Sequence, residues 1–279
     1  MLDTPFAVGA TADVHVWEPG WIIKLYRGTQ EAPVRHEKRV AAAVQTALQE
    51  VEELRVPAVG ACVTVNNRPG LLYEHIPAET MLAQLRQSPS LSGLNTFARQ
   101  FAELHFRLHT CSIPDRAALA AAVPRQRNAL LRKIETAPLT TTIRTAARKA
   151  LERYAKTNAA SCLCHGDFHP GNIILASGDA VLIDWQDSAW GEAAADVART
   201  CLLLDPGFSA DSSDVEAVSR RCFRNRYFKH YVGLCAAPDT VRRAVRAWLP
   251  VVAAARLAEN LPETEREPLQ RIVRVYLPQ

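Results

Sequence analysis

Cys162-Leu-Cys-His165-Gly-Asp167-Phe-His-Pro-Gly-Asn172-Ile-Ile-Leu-Ala-Ser-Gly178-Asp-Ala-Val-Leu-Ile-Asp184-Trp185 is the most informative stretch of this 279-residue chain. Ile173 to Ala176 and Ala180 to Ile183 are short apolar runs joined by the turn-forming Ser177-Gly178-Asp179, so they read as a β-hairpin. Asn172 lies just before the first strand and Asp184 just after the second, each six residues from Gly178. Pairing about that turn is expected to set the two opposite one another, with Cα atoms about 4.5–5.5 Å apart. An amide oxygen beside a carboxylate suits a hard cation that keeps waters and substrate phosphates, which is Mg2+. Asp167, on the irregular run entering the hairpin, is placed to face a substrate hydroxyl rather than the metal.

At the head of the stretch, Cys162 and Cys164 share a strand face. With His165 and His169 they offer zinc-type ligands, but three ligands within four residues strain a tetrahedral site, so buried structural thiols are expected.

Upstream, residues 1–75 read as strands with one helix. Val14 to Trp17 and Trp21 to Tyr26 flank Glu18-Pro19-Gly20, a hairpin signal. From Pro33 to about Leu54 the period turns helical, with Glu37, Val40, Val44 and Leu48 on one stripe and Pro57 as the stop. A second hairpin, Ala61 to Val65 and Leu71 to Ile76, turns at Asn66-Asn-Arg-Pro-Gly70. From Thr80 the texture is helical. Leu94 to Leu108 carries core-facing spacing, and residues 117–157 form two or three helices separated near Pro124 and Pro138. After Trp185 helices run to the C-terminus, broken at Pro206-Gly207, Pro238 and Pro262. The division expected is a β-rich segment over 1–75 and a larger helical segment over 76–279.

Composition bounds the rest. The apolar share is 48% and the charged share 22%, which excludes disordered and collagen-like chains. The net charge of +4 is too slight to imply a nucleic-acid or anionic-membrane partner. Seven cysteines, none in a C-x-x-C, suit a reduced cytoplasmic setting. Met1-Leu-Asp-Thr-Pro has neither a basic nor an apolar leader region, and no apolar run is long enough to span a bilayer, so a soluble cytoplasmic protein is expected. Nothing in the sequence sets an oligomeric state.

His165-Gly-Asp167, then Asn172 after four intervening residues, then Ile183-Asp184-Trp185 resembles the aminoglycoside phosphotransferase and choline kinase superfamily, small-molecule relatives of the protein kinases. The resemblance implies an α+β, two-lobed protein-kinase-like fold, with a small β-rich N-lobe, a larger mostly helical C-lobe and ATP between them. It implies Asp167 as catalytic base and Asn172 and Asp184 as magnesium ligands, the roles that kinases give their catalytic-loop Asp, its Asn and the later metal-binding Asp. Such a kinase also needs a strand lysine on the phosphates held by a helix glutamate. Lys24, inside an apolar strand, and Glu37, on the inward stripe of the next helix, read as that pair.

By the same resemblance, Gly9 and Thr11 in Val8-Gly9-Ala-Thr-Ala-Asp13 belong to a phosphate-covering loop, and backbone groups near Glu74 and Ile76 would meet adenine. No G-x4-G-K-[ST] occurs, which excludes a Walker P-loop. His165, Asp187 and Asp196 are read as supporting residues, with Asp196 a buried acceptor bracing the catalytic loop and His105 structural. Gly191-Glu192-Ala193 departs from the family's usual G-D-P. The reaction implied is transfer of the γ-phosphoryl group of ATP to a small-molecule hydroxyl, with GTP left open as donor. The rival class is a nucleotide-binding pseudokinase, against which the joint retention of Lys24, Glu37, Asp167, Asn172 and Asp184 argues. The acceptor is unresolved between antibiotic and metabolite: Glu259, Glu263, Glu265 and Glu267 offer an acidic rim, set against many arginines.

Overall fold

A computed structural model describes residues 3–9, 11–51, 54–87, 90–154, 161–176, 179–205 and 214–277. Its strands are β1 (Ala7–Val8), β2 (Ala12–Glu18), β3 (Trp21–Tyr26), β4 (Leu54–Arg55), β5 (Val59–Val65), β6 (Arg68–Glu74), β7 (Ser161–Cys164), β8 (Ile173–Ala176), β9 (Asp179–Leu182) and β10 (Ala189–Glu192). Its helices are α1 (Glu31–Leu48), α2 (Met81–Gln87), α3 (Leu91–Thr110), α4 (Arg116–Ala122), α5 (Gln126–Thr136), α6 (Thr141–Tyr154), α7 (Ala193–Leu203), α8 (Asp214–Leu234), α9 (Pro238–Arg256) and α10 (Glu263–Tyr276).

Two compact units share the chain. One takes the residues up to Ala83 together with Ser112–Val123 and Gly171–Asp187; the other takes Gln84–Cys111, Pro124–Pro170 and the chain from Ser188 onward. The β8–β9 hairpin therefore packs with the first unit although it lies far along the sequence.

In the first unit, an antiparallel sheet runs β1-β2-β3-β6-β5. Period-2 alternation along β3 and β6 sends Tyr26 and Leu71 to the face covered by Val34 of α1, and Ile23, Leu25 and Leu72 to the other face. The register Lys24↔Leu71 puts Lys24 on the α1 face with Tyr26. Helix α1 buries Val34, Val40, Ala41, Val44 and Leu48 at helical spacing, and Glu37 lies in the middle of that stripe. Each fully buried Val or Leu side chain there contributes about 1.5–3 kcal/mol. A second, three-stranded sheet, β4-β9-β8, holds the hairpin.

In the second unit, α3 and α8 meet through Phe101, which lies 4.6 Å from Phe168, 5.4 Å from Phe223 and 5.0 Å from Tyr227, ring centre to ring centre. Ser90 caps α3, its hydroxyl accepting from Gly93 N at 3.0 Å. The end of α9, Val251 to Arg256, is buried all round.

Four local expectations are corrected. Helix α1 ends at Leu48 rather than near Leu54, because Leu54 and Arg55 pair in parallel with Ala180 and Val181. The second hairpin turns on Asn66 and Asn67 alone, both at positive φ (49° and 63°), as a tight two-residue turn requires. Arg68-Pro69-Gly70 then belongs to β6, and Pro69 is tolerated because β6 pairs with β3 only from Gly70 onward. Strand β10, which completes a two-stranded sheet with β7, stands where helix was expected. Of the proposed helix breaks, Pro238 is the first residue of α9 and Pro262 precedes α10; Pro206-Gly207 lies outside the described residues.

The register of the β8–β9 hairpin is the fourth correction. Ala176 pairs with Asp179 and Ile173 with Leu182, so Asn172 stands opposite Ile183, whose N–H donates to the Asn172 carbonyl at 3.1 Å. Asp179, read from the sequence as part of the loop, is already in the strand, and Ser177-Gly178 lies outside the described residues. A one-residue slip sends a side chain to the other face in regular strand. Asp184, however, has a φ of 65°, which ends the strand and breaks its alternation.

Candidate active site

The first unit gathers charge around Lys24. Its ammonium donates to Glu37 Oε1 at 2.9 Å and Oε2 at 3.2 Å, and to Asp184 Oδ1 at 3.0 Å. Burial pushes the lysine's pKa down, but the Asp184 and Glu37 carboxylates outweigh it and the net shift is upward, so Lys24 stays charged. Glu37 is 1% exposed and also accepts from the hydroxyls of Tyr26 and, at 2.8 Å, Tyr73. Burial together with the Glu37 charge raises both phenols and keeps them as donors. A carboxylate so buried persists only with such a set of donors. The sequence reading missed both tyrosines. Tyr26 stands two residues beyond Lys24 on the same strand face, which is the signal that marks it.

Asn172 is buried at the entrance to the hairpin, in a single turn of 3-10 helix over Pro170–Asn172. The Asp184 side chain keeps 29% exposure beside Lys24. Asn172 and Asp184 supply hard oxygen donors, the set that fits Mg2+ better than a soft metal. Asp187 is half-buried in the turn after Trp185.

Gly9 and Thr11 lie in the tight β1–β2 connection. Gly9 N donates to Ala12 O at 2.9 Å, and Thr11 O accepts from Arg27 N at 3.0 Å. The sheet itself uses much of Glu74: its amide donates to Ala58 O, while its carboxylate receives Arg55 and Ala58 N. The His75 amide is likewise taken, by Gly20 O at 2.9 Å. Among the described residues no hydrogen bond engages the amide of buried Ile76.

The second unit holds the turn that carries Asp167. Asp196 of α7, 2% exposed, accepts from the amides of His165 at 2.8 Å and Gly166 at 2.9 Å. It is also 3.2 Å from His105 Nε2 and 3.3 Å from His109 Nε2. Although burial favours its protonated form, these donors hold its pKa well below the usual carboxylate range. His105 is fully buried, and burial drops its pKa to about 3, so it is a neutral ring stacked 4.0 Å from Phe168. His165 is also fully buried and accepts from Asp167 N at 3.2 Å.

Asp167 keeps 24% side-chain exposure. His169 Nε2 is 3.6 Å from its Oδ2, and Arg199 Nη2 is 3.6 Å from its Oδ1. Burial would raise its pKa, but His169 and Arg199 reverse the sign and keep it ionised. Arg199 also donates to Gly166 O and, at 2.7 Å, to Glu259 Oε1. The sequence reading missed Arg199; it stands three residues after Asp196 on α7, hence on the same helix face.

The four glutamates of the supposed acidic rim are each paired. Glu259 meets Arg199, Lys133 and Arg256; Glu265 meets Arg256; Glu263 meets Arg266; Glu267 meets Arg271. The Gly191-Glu192-Ala193 departure has a local use. Glu192 N donates to Gln126 Oε1 at 2.9 Å, and Glu192 Oε2 accepts from Trp248 Nε1 at 3.2 Å.

Among the described residues no helix is long and apolar enough to cross a membrane. No curated protein matches the chain. Solved structures do. A streptomycin–ATP–APH(2")-IIa ternary complex superposes with a TM-score of 0.63 at 18% identity, covering 98% of this chain and 92% of that one. Amicoumacin kinase hAmiN, in complex with AMP-PNP, Ca2+ and Ami, gives 0.63 at 13% identity, covering 96% and 86%. A choline/ethanolamine kinase family protein from Mesorhizobium loti gives 0.57 at 14% identity, covering 96% and 85%. At such identities the likeness establishes the fold, which is the two-lobed kinase-like α+β architecture. The family model described as the phosphotransferase enzyme family matches residues 4–248, and the chain belongs to that family.

Proposed function

We propose that this protein transfers the γ-phosphoryl group of ATP to a hydroxyl of a small molecule, with Asp167 as base. The observation that carries the reading is Lys24, whose ammonium joins Glu37 to Asp184 within a phosphotransferase-family chain. In this reading Lys24 holds the nucleotide phosphates, and Glu37 fixes Lys24. Asn172 and Asp184 would ligate Mg2+, which supplies charge neutralisation on the transferring phosphoryl group. The Ile76 amide and neighbouring backbone would meet the purine, while Gly9 and Thr11 would lie over the phosphates. Asp167, ionised and partly exposed, accepts a hydrogen bond from the acceptor hydroxyl and takes its proton as the phosphoryl group moves. His165, Asp187 and Asp196 support this machinery. The pairing of Glu259, Glu263, Glu265 and Glu267 with cations favours a metabolite alcohol over a polycationic aminoglycoside as acceptor.

The test is a phosphorylation screen with Mg·ATP over amino-alcohols, sugars and aminoglycosides, run on wild type and Asp167→Asn. The expected result is a product in wild type and a turnover loss of about 10²–10⁴-fold in the variant, with ATP affinity unchanged. Equal turnover in both would refute Asp167 as base. Tight Mg·ATP binding with no product from any acceptor class would point to a pseudokinase.

A further inference from the structure

We propose that Cys162, Cys164 and His109 form a site for one thiophilic d10 cation, of the Zn2+ or Cd2+ type, behind the turn that carries Asp167. The difficulty seen in the sequence was ligand crowding on one strand. The structure removes it by bringing the third ligand from another element: His109 stands in the last turn of α3. A ring nitrogen of His109 and the two sulfurs all lie within 4.8 Å of one another.

The sulfur spacing decides between the chemistries open to two neighbouring thiols. Cys162 Sγ and Cys164 Sγ are 3.9 Å apart. Two thiolates on a tetrahedral ion at about 2.3 Å stand roughly 3.8 Å from each other. A disulfide is a poorer fit. Residues two apart on a strand are separated by about 6.6 Å, with Cβ atoms on a similar spacing, whereas a disulfide wants Cβ atoms about 3.5–4.5 Å apart. The sulfurs can therefore chelate without moving the strand but can bond to each other only by distorting it.

The surroundings suit a metal-bound imidazole. His109 Nδ1 is 2.7 Å from the Tyr231 hydroxyl and Nε2 is 3.3 Å from Asp196 Oδ2. Ligation through one nitrogen leaves the other on its present partner, the outer support that such ligands need. Binding displaces both thiol protons to solvent, so affinity falls as pH falls. Cys162 is 9% exposed and Cys164 fully buried, so uptake waits on local opening and is slow.

Asp196 links the site to the candidate active site. It accepts from His109 and also from the amides of His165 and Gly166. Ligation through Nε2 takes that nitrogen from Asp196, redistributes the hydrogen bonds of Asp196 and shifts the Asp167 turn, so an ion held by Nε2 lowers phosphoryl transfer. This consequence rests on the function proposed above; the binding itself does not.

The experiment titrates metal-stripped full-length protein with Cd2+, following the thiolate-to-metal charge-transfer band, and then competes with Zn2+. Expected are one Cd2+ per chain, displacement by Zn2+, and protection of Cys162 and Cys164 from alkylation, read peptide by peptide by mass spectrometry. Cys162→Ser and Cys164→Ser should each weaken binding by at least about 10–100-fold, while Cys62→Ser, at an exposed thiol, leaves it unchanged. A band that survives in the Cys162→Ser/Cys164→Ser double variant overturns the site. Alkylation of Cys162 and Cys164 that Cd2+ does not slow also overturns it, and needs no variant to fold. Stoichiometric Cd2+ with undiminished turnover overturns the link through Asp196 alone. Absence of any acceptor product overturns the proposed function and leaves the metal titration standing.

Discussion

The ammonium of Lys24 lies 3.0 Å from Oδ1 of Asp184, a residue 160 positions further along the chain. The same ammonium is 2.9 Å from Glu37. One cation thus ties strand β3, helix α1 and the end of the β8–β9 hairpin together, and it is 14% exposed at the point where Asp184 is 29% exposed. Asp184 needs its left-handed φ of 65° to reach that position, which is unusual for a residue with a Cβ. Lys24 and Asp184 are therefore held in a pre-set arrangement, which the proposed function assigns to the phosphates and their metal.

Removing Lys24 should separate function from folding. In Lys24→Ala, Glu37 keeps the hydroxyls of Tyr26 and Tyr73, so the melting temperature should fall only modestly. Loss of one preorganised donor to the phosphates should lower kcat/KM for ATP by about 10²–10³-fold. Steady-state kinetics beside thermal unfolding reads both. A collapsed melting temperature with unchanged kinetics would make the lysine structural.

Glu37 should behave in the opposite way. Glu37→Ala leaves Tyr26 and Tyr73 without their buried acceptor and Lys24 with Asp184 alone, and each hydrogen bond to a charged group that is lost costs roughly 1.5–3 kcal/mol. Tyr26→Phe removes one hydrogen bond to a charged group and should cost roughly 1.5–3 kcal/mol. Denaturant melts should rank wild type, Tyr26→Phe and Glu37→Ala in falling stability. The reverse order of the two variants would contradict the central place given to Glu37.

Arg199 should set the acid limb of the pH profile. His169 and Arg199 hold Asp167 below the usual carboxylate value of 3.8, so the proposed base stays ionised as pH falls. Removing the guanidinium raises the pKa of Asp167. In Arg199→Ala the acid limb of kcat/KM should therefore move to higher pH, and Arg199→Lys should restore part of the shift. An unmoved limb would show that another group titrates there.

Gly191→Ala should disturb the β7–β10 sheet. A Cβ on Gly191 would clash with Cβ of Gln126, which is a stem atom and cannot swing aside. The helix start must shift, loosening the bonds between Gln126 and Glu192. Overpacking of this kind costs about 1–3 kcal/mol. A variant as stable as wild type would mean that α5 yields more easily than its packing suggests.

Periodicity and spacing along the chain were enough to reveal the two hairpins and the long helix of the first seventy-five residues, the inward position of Glu37 and the hairpin between Asn172 and Asp184. These are local facts: an apolar stripe or a turn dipeptide acts over a few residues, and the sequence carries it directly. The spacing of His165, Asp167, Asn172 and Asp184 carries the family resemblance, and the roles proposed for them come from that resemblance.

What tertiary structure decided involves partners distant in sequence. Helix α1 stops at Leu48 because Leu54 and Arg55 find β9 more than a hundred residues later. The hairpin register depends on Asp179 joining the strand, and Asp184 recovers its place through a backbone angle that composition does not signal. Tyr73 reaches Glu37, Arg199 reaches Asp167 and His109 comes to the thiols of Cys162 and Cys164 only once helices and strands have packed. Burial then sets the chemistry. Desolvation makes His105 neutral, while ion pairs and hydrogen bonds outweigh it to keep Lys24 and Asp167 charged, a balance of surroundings that no single residue carries in its own identity.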